Sequence, residues 1–184
     1  MSRLRSDAQD AGLRSSWRRS RVCAQARMTR LPTLGPRGEG WVAIQFVLFA
    51  LIAVAGGALG GQPGGAAQVV GVVAIALGGA VAAWAGLALQ RGRALTAVPH
   101  PPDGAELVDV GPYALIRHPI YSGIVLAAVG WSVARGSGAA LAASVVLLVF
   151  FDLKRRREEA WLLERLAGYE AYSARTRALV PFLY

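Results

Sequence analysis

Residues 41–90 of this chain are dominated by apolar side chains and contain no Asp, Glu, Lys or Arg. The window is broken only by Gly60-Gly61-Gln62-Pro63-Gly64-Gly65, a turn composition. That leaves two apolar blocks of about 20 residues each, the length that crosses a bilayer core. Two shorter apolar runs follow, 120–134 and 139–153, joined by Arg135-Gly136-Ser137-Gly138. Each is about 15 residues, short for a spanning helix, yet a tight hairpin can cross when neighbouring helices cover its ends. The pattern predicts an all-α polytopic membrane protein with about four transmembrane helices, the last two forming a short C-terminal hairpin. A single re-entrant pair is the alternative for 120–153. Past the hairpin, Ala160, Leu162, Leu163, Leu166 and Ala167 predict an amphipathic cytoplasmic helix over 158–174.

Composition agrees with that outline. Hydrophobic residues make up 54% and charged residues 17% of the chain, outside the range of an ordinary soluble domain. Charge then sets orientation. Nine of the 20 Lys and Arg precede Trp41, ten lie in 91–117 or after Leu153, and only Arg135 falls on the opposite side of a four-crossing arrangement. The positive-inside rule places both termini and the central loop in the cytoplasm. Arginines beside spans that face anionic lipid account for the net charge of +9, so no nucleic-acid partner is called for.

Residues 1–38 are rich in Arg and Ser, have no periodic apolar face, and read as a disordered basic cytoplasmic tail. Residues 39–184 form the expected membrane domain, with its chemistry within about 106–182. Translation from Met28 is a second reading of the N-terminus. The lone Cys23 cannot build a disulfide framework, and the chain has too few His and Cys for a zinc or iron centre. Lysine occurs once against nineteen arginines, a coding bias that points to a bacterial inner or plasma membrane.

Two polar clusters flank the hairpin. The first is Gly111-Pro112-Tyr113-Ala114-Leu115-Ile116-Arg117-His118-Pro119-Ile120-Tyr121-Ser122-Gly123 and the second Lys154-Arg155-Arg156-Arg157-Glu158-Glu159. Pro99, Pro101, Pro102 and Pro112 make 91–117 irregular, with a short extended piece near Leu107 to Val110. Pro119 suits the first turn of the third span. Each residue also has a bland reading. His118 can cap a helix beside headgroups, the tyrosines belong to an interfacial belt, and Arg117 is a positive-inside arginine. Lys154 to Arg157 look like a cytoplasmic stop signal, and Glu158 and Glu159 can pair with them along a helix.

Taken together, the Gly-x-Tyr-x-x-x-Arg-His-Pro-x-Tyr-x-Gly string, the Glu-Glu pair, Gly168-Tyr169, Tyr172 and the closing Pro181-Phe182 resemble the isoprenylcysteine carboxyl methyltransferase family. The phospholipid N-methyltransferases are among its relatives. The resemblance covers about residues 107–182. It implies a membrane methyltransferase that uses S-adenosylmethionine, and no Gly-x-Gly-x-x-Gly follows a strand to support a Rossmann cofactor site. By the same resemblance, cofactor contacts fall on Glu106, Leu107, Val108, Asp109, Tyr113, Arg117, His118, Pro119, Ile120, Tyr121 and Glu159. Glu106 departs from the histidine or other polar residue common at that place in the family. Arg155 corresponds to the arginine assigned to a substrate carboxylate.

The residue types suit that chemistry. A carboxylate and aromatic faces favour a cationic sulfonium, and transfer of an activated methyl needs positioning above all. A carboxylate acceptor needs a cation such as Arg155 to hold it. An amine acceptor must lose a proton, with Glu158 or His118 as base. The leading expectation is carboxyl O-methylation of an isoprenylcysteine-like, lipophilic acceptor entering from the bilayer beside the third and fourth spans. A phospholipid amine N-methyltransferase, a nicotinamide-dependent membrane reductase with a similar C-terminal pattern, and a non-enzymatic membrane protein are the rivals.

Overall fold

A computed structural model describes residues 32, 34–36, 38–92 and 107–180. The tail with Cys23 and Met28, most of the proline-rich loop with Glu106, and Pro181-Phe182 lie outside the described residues. Within them the chain is helical: α1 (Glu39–Ala58), α2 (Gly65–Arg91), a 3₁₀ turn (Gly111–Ala114), α3 (Pro119–Ala134), α4 (Gly138–Arg165) and the short α5 (Tyr169–Arg175). Residues 107–109 form no regular element, and only Ile116 and Arg177 make an isolated parallel bridge.

Two of these helices, α1 and α2, are long and apolar enough to cross a membrane. Only 22% and 11% of their most apolar stretches are buried, so the apolar side chains are turned outward. Phe46, Val54, Val69 and Val70 are all exposed. Outward apolar surface on this scale belongs in lipid rather than water. At 16 residues, α3 is shorter than the length that spans a bilayer core unaided.

The helices meet in two ways. α2 packs on α3 through small residues at heptad spacing: Gly71 and Gly78 face Gly130 and Gly123. A Cβ at Gly71 would sit 2.5 Å from Ala134 N, and one at Gly130 would sit 2.7 Å from Gly71 O. Absent side chains let the two backbones touch, which is how helices associate where lipid removes the hydrophobic driving force. α1 packs on α4 through larger groups: Trp41, Leu48 and Ile52 against Leu147, Phe150 and Phe151. The rings of Trp41 and Phe150 lie 5.5 Å apart.

Arg135, the isolated cation of the hairpin loop, has a structural task. Its Nε donates to Gly56 O at 3.1 Å, Ser137 Oγ donates to Ala55 O at 2.9 Å, and Trp131 Nε1 donates to Ile52 O at 3.2 Å. Gly56 is among the last four carbonyls of α1, which helical bonding leaves open, while Ala55 also accepts from Leu59 N. The three donors thus tie the hairpin loop and the end of α3 to the C-terminal turn of α1. Ser137 also caps α4 by accepting from Ala140 N.

One expectation needs correction. The charged run does not end a span and start a separate helix at Glu158. α4 instead continues unbroken for 28 residues to Arg165. No Gly or Pro interrupts 139–165, and pairs such as Asp152 with Arg156 bridge successive turns. The break comes at Gly168, whose φ of 83° starts α5.

Candidate functional site

The fold brings the two sequence clusters together at one end of the helices, far along the chain from each other. Gly111, at φ 61°, turns the backbone over the Trp84 ring and leads into the 3₁₀ turn. The following strand-like segment is held by the C-terminal stretch: Arg117 N donates to Arg177 O at 2.8 Å and His118 N to Ala178 O at 3.0 Å. His118 then sits just before α3, with Pro119 at the first helical position. Its side chain makes no capping bond, contrary to the bland reading.

That side chain goes to Glu159 instead. Arg117 Nε and His118 Nε2 each lie 3.0 Å from Glu159 Oε1, and Arg155 Nη1 lies 3.7 Å from the same oxygen. An ionised carboxylate only accepts, so His118 Nε2 carries the proton of this bond. Burial works to raise the Glu159 carboxyl. The hydrogen bonds and charges of His118 and Arg117 together overcome it and hold the group at about 2. Glu159 is therefore ionised although only 7% exposed.

Glu158 has the opposite environment. Tyr121 donates its hydroxyl to Glu158 Oε2 at 2.8 Å, and His118 Nδ1 lies 3.8 Å from that oxygen. Burial pushes the Glu158 carboxyl up, and the His118, Tyr121 and Lys154 contributions do not cancel it. One imidazole thus stands between two carboxylates of opposite character, the arrangement by which sites divide acid–base roles.

Aromatic rings fix these groups. His118 stacks on Tyr121 with centroids 5.3 Å apart, and Tyr121 stacks on Phe151 at 4.4 Å. Lys154 Nζ lies 5.4 Å above the Tyr121 ring and donates to Gln45 Oε1 of α1 at 2.7 Å. Gln45 is the single polar side chain between Trp41 and Ala58, a signal the sequence reading passed over. Asp152 is a second omission. It takes Arg155 on Oδ1, with Nε at 2.8 Å, and Arg156 on Oδ2.

The other expected residues lie around this cluster. Tyr113 is buried, with its carbonyl accepting from the Tyr172 hydroxyl at 2.8 Å. Leu107 lies beside Gly168, Val108 covers Gly92 at the end of α2, and Asp109 pairs with Arg175. Ile120 is half-buried on the first turn of α3. An apolar groove of about 400 Å³, lined by Phe49, Ile52, Ala53, Ile124, Ala128 and Trp131, opens between α1 and α3. Ile124, Ala128 and Trp131 continue the α3 face that begins at Tyr121. The groove is on the α1 side of α3, the third of the expected spans.

Outward apolar helices that gather buried carboxylates and cations at one end define a membrane-associated helical protein with a polar cluster at one end of its helices. The sequence model of the phospholipid methyltransferase family matches residues 66–168. Two rice proteins, from Oryza sativa subsp. indica and subsp. japonica, are each described as a probable protein-S-isoprenylcysteine O-methyltransferase. Each is 32% identical over 118 residues, covering 62% of this chain and 61% of its own length. No solved structure matches the chain. The chain belongs to the phospholipid methyltransferase family, and the resemblance carried by Arg117-His118-Pro119 and Glu158-Glu159 holds at that level.

Proposed function

We propose that this protein is an integral membrane methyltransferase that uses S-adenosylmethionine to methylate a lipophilic acceptor, with four crossings and the polar site on the cytoplasmic side. The observation that carries the reading is the meeting of the two motif halves at Glu159. Arg117, His118 and Arg155 all approach Glu159 at Oε1, and in this reading Oε2 faces the ligand cation. An ionised carboxylate walled by aromatic side chains fits a sulfonium cofactor. When bound, that cofactor supplies a methyl group already activated by the positive sulfur.

The chain's own residues would then bind and orient. Arg117 and His118 hold Glu159 ionised and in place. Tyr121 and Phe151 form a stacked wall, and the α1–α3 groove offers the acceptor's apolar part a surface without free polar groups. For a carboxylate acceptor, Arg155 supplies the holding charge, and the names of the rice relatives favour this reading. A second reading, an amine acceptor, is favoured by Arg155 being already clasped by Asp152 and by Glu158, whose burial raises it so that it takes up a proton more readily than an ordinary carboxylate.

Membranes containing the protein, incubated with methyl-labelled cofactor, are expected to yield a labelled lipophilic product. Label released by mild base identifies an ester, and base-stable label identifies a methylated amine. Absence of transfer above vector-only membranes, together with nicotinamide binding, would instead support the reductase reading. Glu158→Gln separates the acceptors further. With an amine, the rate is expected to fall on the order of 100-fold and to lose its acid limb, the loss of activity as pH drops through the raised Glu158 value. With a carboxylate, the fall stays within about tenfold.

A further inference from the structure

Tyr169 opens α5 directly after the left-handed turn at Gly168. Its ring is buried, only 3% exposed, and lies 5.7 Å from the ring of Tyr172. The two tyrosines differ at the hydroxyl. Tyr172 donates to the Tyr113 carbonyl. The Tyr169 hydroxyl is buried and has no hydrogen-bond partner among the described residues. A buried hydroxyl left unsatisfied costs about 1–3 kcal/mol, and native structures seldom keep one without a ligand or water to complete it.

The surroundings of that hydroxyl indicate what completes it. The charged groups acting on it are Glu159, Arg117 and Glu158, the same cluster described above. Gly168, its chain neighbour, lies beside Leu107, and its ring neighbour Tyr172 is bonded to the residue 113 backbone. The vacant donor and acceptor capacity therefore sits where the 107–113 segment, Arg117 and Glu159 converge. An apolar tail would leave the hydroxyl unsatisfied. A ligand with its own hydrogen-bonding groups satisfies it.

We infer that the Tyr169 hydroxyl is a ligand-binding group of this pocket, completed by a polar group of the methyl donor away from its reacting methyl. The identity of that ligand rests on the function proposed above. Tyr169 positions the donor and takes no part in moving charge at the transferred carbon.

Full-length protein in detergent or nanodiscs, titrated with S-adenosylhomocysteine, tests this. Tyr169→Phe removes only the oxygen, so affinity is expected to weaken about five- to tenfold, the effect of one hydrogen bond. The melting temperature without ligand should be unchanged or higher. Tyr172→Phe, which breaks an internal bond, should lower that melting temperature. Wild-type binding with unaltered affinity in Tyr169→Phe overturns the inference, as does a ligand-free melting temperature lowered as much as by Tyr172→Phe. Failure of the wild type itself to bind S-adenosylhomocysteine overturns the proposed function, and this inference with it.

Discussion

Glu159→Ala is expected to abolish S-adenosylhomocysteine binding, a loss of at least about 100-fold or roughly 3 kcal/mol, while the protein still inserts into membranes. The change removes the oxygen proposed to face the ligand and also takes a shared partner from Arg117, His118 and Arg155. Arg155 keeps Asp152 and Arg117 keeps the Ser173 and Thr176 carbonyls, yet removing a carboxylate from a buried charged cluster still destabilises it, so the binding result needs a companion. Glu159→Gln keeps the shape and one acceptor oxygen and removes only the charge. If Gln binds the cofactor product as tightly as wild type in calorimetry, the charge of Glu159 has no part in recognition and the site assignment fails.

The same carboxyl makes a pH prediction. Its folded value of about 2 lies below the ordinary 4.5, so the unfolded chain binds the proton more readily. Glu159 then contributes about 3 kcal/mol above pH 4.5. That contribution is lost as pH falls through 2. Between those values, wild-type thermal stability should drop more steeply than that of Glu159→Gln. Parallel curves would show that the Arg117–His118–Glu159 contacts carry no net stabilisation.

Gly78→Leu is expected to be the most disruptive change in the apolar region. A Cβ at Gly78 would meet the Gly123 carbonyl and sit 2.7 Å from Ala127 N. Backbone cannot swing aside as a flexible side chain does, so α2 and α3 must separate. Overpacking commonly costs about 1–3 kcal/mol, and a backbone clash puts this substitution at the top of that range or above it. Gly123 directly follows Tyr121 and Ser122 in the first two turns of α3, so displacement of α3 is expected to move His118 away from Glu159 as well. Gly79→Leu supplies the control, because a Cβ there meets nothing within 4 Å. Loss of thermal stability and of cofactor affinity at 78, with both retained at 79, is the expected pattern. Equal tolerance at both positions would rule out the close α2–α3 seam.

Several parts of the molecule are legible in the sequence. The uncharged window of residues 41–90, split at a Gly/Pro turn, marks α1 and α2 because period and length suffice for a helix in lipid. Arg117-His118-Pro119 and Glu158-Glu159 were recognisable as motif halves because each is contiguous in the chain. The extent of α4 is less legible: a charged run after Leu153 has the composition of a span's end, yet Asp152–Arg155 and Asp152–Arg156 pairing carries the helix onward to Arg165. Gln45 and Asp152 were single polar residues in or beside apolar runs, readable as signals only once a buried partner is suspected.

The one-dimensional pattern by itself determined that this is a helical membrane chain, where its polar clusters lie, and which family those clusters resemble. Tertiary structure alone decided that Glu159 joins Arg117 and His118, that Glu158 faces Tyr121, and that the Tyr169 hydroxyl finds no partner among the described residues. The reason is physical. Periodicity and hydropathy depend on near neighbours and survive in the sequence. Protonation, pairing and burial depend on groups about forty residues apart, brought within hydrogen-bond distance only when α3 and α4 pack.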